Sequence, residues 1–196
     1  AHGRMIYVLD KVRPAMAYTD DARLYAAALA LPQLDGVEIV ATRTDGAPGA
    51  VTSFASLVDG DANQDADALL AQTGPDTIAK ILFTSGSSSD PKGVLTTQRM
   101  MCANQAQMAA VLPFLTERAP RICDWLPWNH VFGGSHNVNM MLANGGTLVI
   151  DDGKPTKKYF DRTVRNIIER AGTLAFNVPV GFSMLVHEME TNTALR

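Results

Sequence analysis

Cysteine is almost missing from this chain. Its two cysteines, Cys102 and Cys123, form no C-x-x-C or C/H pair, which excludes zinc knuckles and dithiol redox chemistry. Both read as small core residues in a reducing cytosol, so the expected location is cytoplasmic. No apolar run reaches the roughly 18 residues of a membrane-crossing helix. No basic, apolar and cleavage-site series opens the chain, so no secretory leader is read. An excess of basic residues is also lacking. Lys and Arg number 17 against 20 Asp and Glu, a net charge of -3, which gives no reason to expect a nucleic-acid partner. G-x-x-x-x-G-K-[ST] and G-x-G-x-x-G are both absent, so neither a Walker A loop nor a Rossmann fingerprint is available. No repeat or low-complexity linker divides the chain.

What remains is a 196-residue chain with 46% hydrophobic and 19% charged residues, enough for one substantial core. Helical segments are read at 3–12 (stopped by Pro14), at 22–31 (capped by Asp20 and Asp21, stopped by Pro32), and over Thr97–Glu117, Val131–Ala143, Phe160–Arg170 and Pro179–Glu190. Strands are read at 15–18, Val37–Thr42, Lys80–Phe83, Ile122–Leu126, Thr147–Ile150 and Leu174–Val178. The acidic, Ala-rich stretch from Ser53 to Thr73 carries only short helical turns. This alternation predicts a single α/β domain over 1–196, a mostly parallel sheet with helices on both faces. Ligands of such sheets bind beyond the carboxyl ends of the strands.

Two corners follow strands in this way. The first is Thr84-Ser85-Gly86-Ser87-Ser88-Ser89-Asp90-Pro91-Lys92-Gly93-Val94. A glycine lets backbone N–H groups approach an anion, hydroxyls donate to phosphate oxygens, and Lys92 supplies a point charge. Pro91 stiffens the loop before the lysine. The composition also fits a plain Ser/Gly linker, but a linker seldom joins a strong strand to a long helix. Thr97 fits a helix N-cap.

The second corner is Trp125-Leu126-Pro127-Trp128-Asn129-His130-Val131-Phe132-Gly133-Gly134-Ser135-His136-Asn137. Aromatic walls with a few polar groups suit a small apolar ligand with one anchored end. Trp125 reads as core, and Trp128 as pocket or packing. His130 taken alone fits a capping or packing histidine better than a functional one. Gly133 and Gly134 fit close helix packing.

The first corner resembles the phosphate loop T-S-G-S-[TS]-x-x-P-K-G-V of the adenylate-forming superfamily, which contains acyl-CoA synthetases, peptide-synthetase adenylation domains and luciferases. Ser88 and Ser89 stand where Thr and Gly are usual. The second corner is similar to that family's acyl-pocket motif L-P-x-x-H-x-F-G, and its fuller string W-L-P-W-N-H-x-F-G-G-x-H-N is most similar to feruloyl-CoA synthases. Asn177-Val178-Pro179 resembles a third family element.

The resemblance implies a ligase that joins a carboxylic acid to ATP, releases Mg2+-pyrophosphate and passes the acyl group to coenzyme A. By it, Thr84, Ser85, Gly86, Ser87 and Ser88 hold phosphates, while Lys92 balances charge on the departing pyrophosphate. His130 orients the carboxylate. Trp128, His130, Phe132 and His136 line a pocket for a hydroxycinnamate-type acid, and no resident metal ligands are assigned.

The family's Y-G-x-T-E element, its ribose-binding Asp, and its hinge and C-terminal domain with the catalytic lysine are not found here; Gly60-Asp61 precedes the loop, in the wrong order. The expectation is an inactive internal fragment of the large N-terminal domain, completed by the rest of the synthetase in cis. The oligomeric state is unread. Rival expectations are a phosphotransferase or NTP hydrolase with Asp124 or Asp151 as metal carboxylates, a fatty-acid-CoA ligase, and a non-catalytic nucleotide-binding or interaction domain. Asp151-Asp152-Gly153 also reads as a simple turn.

Overall fold

The computed structural model describes residues 2–60, 65–84 and 90–196. They form parallel sheets and helices in two compact units, residues 1–73 with 83–94 and residues 74–82 with 95–196.

In the first unit, helix α1 (His2–Val12) precedes strand β1 (Met16–Asp21), a short helix α2 (Ala26–Leu29) and a 3-10 turn Pro32–Leu34. Strands β2 (Glu38–Arg43) and β3 (Thr52–Ser53) complete a three-stranded sheet of order β1-β2-β3. Both pairings are parallel, with Met16 opposite Glu38 and Val40 opposite Thr52. Short helices α3 (Phe54–Val58) and α4 (Ala66–Ala71) follow. Ala22, Leu34, Val40 and Ala41 are its buried apolar residues.

The helix expected over 22–31 shrinks to Ala26–Leu29 because pairing claims its first residues. β1 runs on to Asp21, opposite Arg43, and the Ala22 N–H donates to the Arg43 carbonyl at 2.9 Å. Asp21 is held by Arg43 at 3.3 Å while its Oδ1 accepts the Leu24 N–H at 3.1 Å. The aspartate that was to cap a long helix closes a turn instead.

Strands β4 (Ile78–Thr84) and β5 (Lys92–Thr97) pair with each other and are divided between the units. β5 differs from the sequence expectation, which places loop and helix start there.

The second unit continues with α5 (Gln98–Val111) and α6 (Phe114–Glu117). Thr97 caps α5, its Oγ1 accepting the Met100 N–H at 3.3 Å, as its hydroxyl predicts. The single helix expected over Thr97–Glu117 is broken at Pro113, which lacks the N–H needed to continue it. β6 (Arg121–Asp124) leads into a π-helix, Val131–Val138, then α7 (Asn139–Ala143), β7 (Thr147–Ile150), α8 (Phe160–Arg170), α9 (Pro179–Thr191) and a 3-10 turn at Thr193–Leu195. β6 and β7 are parallel, Ile122 opposite Leu148. Leu115, Ile122, Met140 and Met141 form the core, with Met108, Leu112, Leu148, Leu174 and Phe176 packed on it. α8 turns Phe160, Thr163 and Val164 inward, the spacing of one helical face.

The strand expected over Leu174–Val178 does not form. Its start is tied to β6, where the Thr173 and Leu174 N–H groups both donate to the Arg121 carbonyl at 2.8 and 3.3 Å. Its end is held by a side chain instead. Asn177 Oδ1 accepts both Trp125 Nε1–H at 3.2 Å and the Val178 N–H at 2.9 Å, so side-chain bonds stand where a ladder would run. The one sheet expected from the sequence is therefore three small ones among the described residues.

Candidate functional site

Thr84 ends β4 and Lys92 begins β5. The Thr84 hydroxyl donates to the Lys92 carbonyl at 3.5 Å, and both residues are exposed. Ser85, Gly86, Ser87, Ser88 and Ser89 lie outside the described residues.

The second group, Trp128, His130, Phe132 and His136, belongs to the second unit. Its geometry begins at Asp124, the last residue of β6 and 3% exposed. A buried carboxylate is costly unless hydrogen bonds satisfy it. Here Oδ1 accepts the Leu126 N–H at 3.0 Å and Oδ2 accepts Asn137 Nδ2–H at 2.8 Å. Burial pushes the Asp124 carboxyl above the usual range, opposed by the bonds from Asn137 and Leu126 and reinforced by the nearby Asp151 charge. The chain then turns through Pro127, whose carbonyl accepts the His130 N–H at 3.1 Å.

His130 caps the π-helix. Its Nδ1 accepts the Phe132 N–H at 3.2 Å, and its carbonyl accepts the Gly134 N–H at 2.8 Å. The ring is exposed, as is Trp128 at 53%. The cap uses one ring nitrogen only.

Gly133 and Gly134 let the π-helix lie directly on this corner. A Cβ on Gly133 would come within 2.5 Å of the Pro127 carbonyl oxygen, and one on Gly134 would collide with that of Trp128. Their reading as packing glycines holds for a backbone reason: carbonyls, not side chains, fill the space.

Beyond them, His136 and Phe132 meet edge-to-face at 5.4 Å, and Phe176 joins at 4.7 Å from His136 and 6.5 Å from Phe132. Sequence reasoning missed Phe176, whose expected strand hid its membership. It also missed Asn137, 0% exposed, which ties Asp124 to His136 through a 2.7 Å contact between Oδ1 and His136 Nδ1. An aspartate ending a strand before a glycine-paired helix was the available signal. Trp125, read as core, is half-buried and lines an apolar cavity of about 380 Å3 with Phe176, Phe182, Leu185, Val186 and Met189.

Asp151 follows β7, and its N–H donates to the Asp124 carbonyl at 2.9 Å. Its carboxylate is spent on the Gly153 N–H, Thr163 Oγ1–H and Asn166 Nδ2–H at 2.8, 2.7 and 2.7 Å. Both acids rivalling as metal ligands are thus engaged by protein donors. No group of three or more His, Cys, Asp or Glu side chains suited to a metal occurs among the described residues.

The cysteines differ from their expected burial: Cys102 is exposed on α5 and Cys123 is half-buried on β6. Burial, then Asp151 and Asp124, pushes the Cys123 thiol up to about 11. Thiolate is the reactive form, so at pH 8 iodoacetamide is expected to alkylate Cys102 alone in the folded protein. Peptide mass spectrometry checks this; equal labelling of Cys123 would contradict its placement.

These features define an α/β protein of parallel sheets and helices with two strand-end corners. The chain belongs to the AMP-binding enzyme family, whose match covers residues 1–196. It is 34% identical over 89 residues to a sulfoacetate–CoA ligase of Cupriavidus necator, covering 45% of this chain and 17% of that relative. It therefore spans well under two thirds of that relative's length. Among solved structures, a protein of Rhodopseudomonas palustris provisionally assigned as a long-chain-fatty-acid CoA ligase superposes with TM-score 0.71 at 22% identity, over 100% of this chain and 46% of that one. A malonyl-CoA ligase ternary product complex, with methylmalonyl-CoA and AMP bound, gives TM-score 0.65 at 18% identity, over 99% and 36% of the two chains. No helix of the described residues is long and apolar enough to cross a membrane.

Proposed function

We propose that this chain is the acid- and phosphate-handling part of an AMP-forming acyl- or aryl-CoA ligase. The observation that carries the reading is the family match over the full 196 residues, joined to the placement of Thr84 and Lys92 at the two ends of the serine-rich loop. Thr84, Ser85, Gly86, Ser87 and Ser88 hold the β- and γ-phosphates of ATP. A carboxylate oxygen of the acid bonds to the α-phosphorus as the bridging bond to the β-phosphate breaks, and pyrophosphate leaves with the electron pair. Lys92 stabilises the charge that develops there. Mg2+ would add to that charge balance; no described residue is assigned to it. Coenzyme A thiol then displaces AMP from the acyl-adenylate.

His130 orients the carboxylate. Its Nδ1 is engaged by the Phe132 N–H, so the neutral ring carries its proton on Nε2 and can donate to a carboxylate oxygen. Trp128, Phe132 and His136 supply aromatic surface, which favours an aromatic acid of the hydroxycinnamate type. Phe176, in contact with Phe132 and His136, extends that surface.

Carboxylate-dependent ATP–pyrophosphate exchange tests the reading, run on the 196-residue chain and on the complete gene product with ferulate, benzoate and a fatty acid. Exchange by the complete product, fastest with ferulate, is expected. No exchange with any acid would refute an adenylating role, and a fatty-acid preference would refute the aromatic pocket.

A further inference from the structure

The hydrogen-bond directions around Asp124 set more than the shape of the corner. Asp124 accepts at both oxygens, from Leu126 N–H and from Asn137. Asn137 must therefore present its amide nitrogen to Asp124, which leaves Oδ1 facing His136 Nδ1 at 2.7 Å. A carbonyl oxygen can only accept, so the proton sits on His136 Nδ1. In the neutral ring Nε2 is then a bare acceptor, and no hydrogen bond reaches it among the described residues. Asn137 is 0% and Asp124 3% exposed, so water has little access to reverse the order.

His130 has the opposite form. Its Nδ1 accepts the Phe132 N–H, so its Nε2 is a donor. Two histidines, one capping the π-helix and one within it, thus offer a donor and an acceptor. A carboxylate suits the donor. The acceptor requires a group with a proton to give, and a hydroxylated aromatic acid carries that as its ring hydroxyl. Phe132 and Phe176 flank the His136 ring edge-to-face and restrict its rotation.

We infer that His136 Nε2 accepts a hydrogen bond from a ring hydroxyl of the aromatic acid, and that Asn137 and Asp124 are positioning residues which fix its tautomer. The inference rests on the proposed aromatic-acid activation. It makes the hydroxyl, not ring size alone, the basis of selection.

Two measurements on the complete gene product test it. The first is nitrogen-15 NMR of labelled histidine, which reads the tautomer without turnover. Protonated Nδ1 and bare Nε2 are expected at His136. In Asp124→Asn the new amide can keep the Leu126 bond through its oxygen and donate to Asn137. Asn137 then turns over, and the His136 proton moves to Nε2. A merely structural Asp124 would produce no such exchange of signals.

The second is calorimetric binding of 3,4-dihydroxycinnamate and cinnamate. The native protein is expected to bind the dihydroxylated acid about tenfold more tightly, the scale of one net hydrogen bond. His136→Phe, which keeps an aromatic ring, should bring the ratio to near one. A proton on native Nε2, an unchanged ratio in His136→Phe, or no preference in the native protein would each overturn the inference. Exchange of pyrophosphate with cinnamate would meanwhile leave the proposed function standing, so the two ideas fail separately.

Discussion

Lys92→Ala is expected to slow carboxylate-dependent ATP–pyrophosphate exchange of the complete gene product by about a hundredfold, the usual loss when one charge-stabilising group is removed. Lys92 opens β5 directly after Pro91 and is exposed. Among the described residues no carboxylate forms an ion pair with it. Its structural contact is made by its carbonyl, which accepts the Thr84 hydroxyl at 3.5 Å and survives any side-chain replacement. The loss should therefore fall on rate and leave the melting temperature unchanged. Lys92→Arg, which retains the charge but spreads it over a fork, should recover part of the rate. An alanine variant as fast as the native protein would remove Lys92 from the proposed chemistry.

Gly134→Ala should strongly lower stability. The added methyl would collide with the Trp128 carbonyl oxygen and come within 3.0 Å of its carbon. The atoms it meets are all Trp128 backbone, so no flexible side chain can give way, and overpacking of this kind costs about 3 kcal/mol. For a chain of this size that is a fall of roughly 6–12 °C in melting temperature. Gly49→Ala is the control, since a Cβ there meets nothing within 4 Å. Thermal unfolding of the two variants decides it; equal melting points would show that the π-helix is not seated as tightly as described.

The parts of the fold that the sequence disclosed are those with local punctuation. β7 and α8 lie where Gly146 and Gly172 bound them, and α9 begins at Pro179, a residue suited to a first helical position. The misjudged parts were decided by distant partners. β1 reaches Asp21 because β2 continues to Arg43, and nothing within 16–31 announces that. β5 is a strand because β4 lies beside it; Lys92–Thr97 has no strong alternation of its own.

The site divides in the same way. The serine-rich loop and the His130 corner are each a continuous stretch of sequence, so each shows there as a pattern. The Asp124–Asn137 bond spans 13 residues and a turn, and Phe176 comes from a later segment of the chain; neither approach shows in a motif, and only folding makes it. Asp124 was visible as a strand-end acid, but its partner was not, so a metal role competed with a bond it already makes.

The π-wound stretch Val131–Val138 also governs how this corner tolerates changes in chain length. In an α-helix, loss of one residue turns everything beyond it by about 100°. A π-helical segment holds its slack within itself and can tighten to α geometry when shortened. One residue removed near its start would leave α7 on its axis, with Asn137 beside it, while shifting the residues between His130 and the deletion. The scaffold and the link from buried Asp124 through Asn137 would survive such a deletion, and the seating of Gly133 and Gly134 on the corner would not.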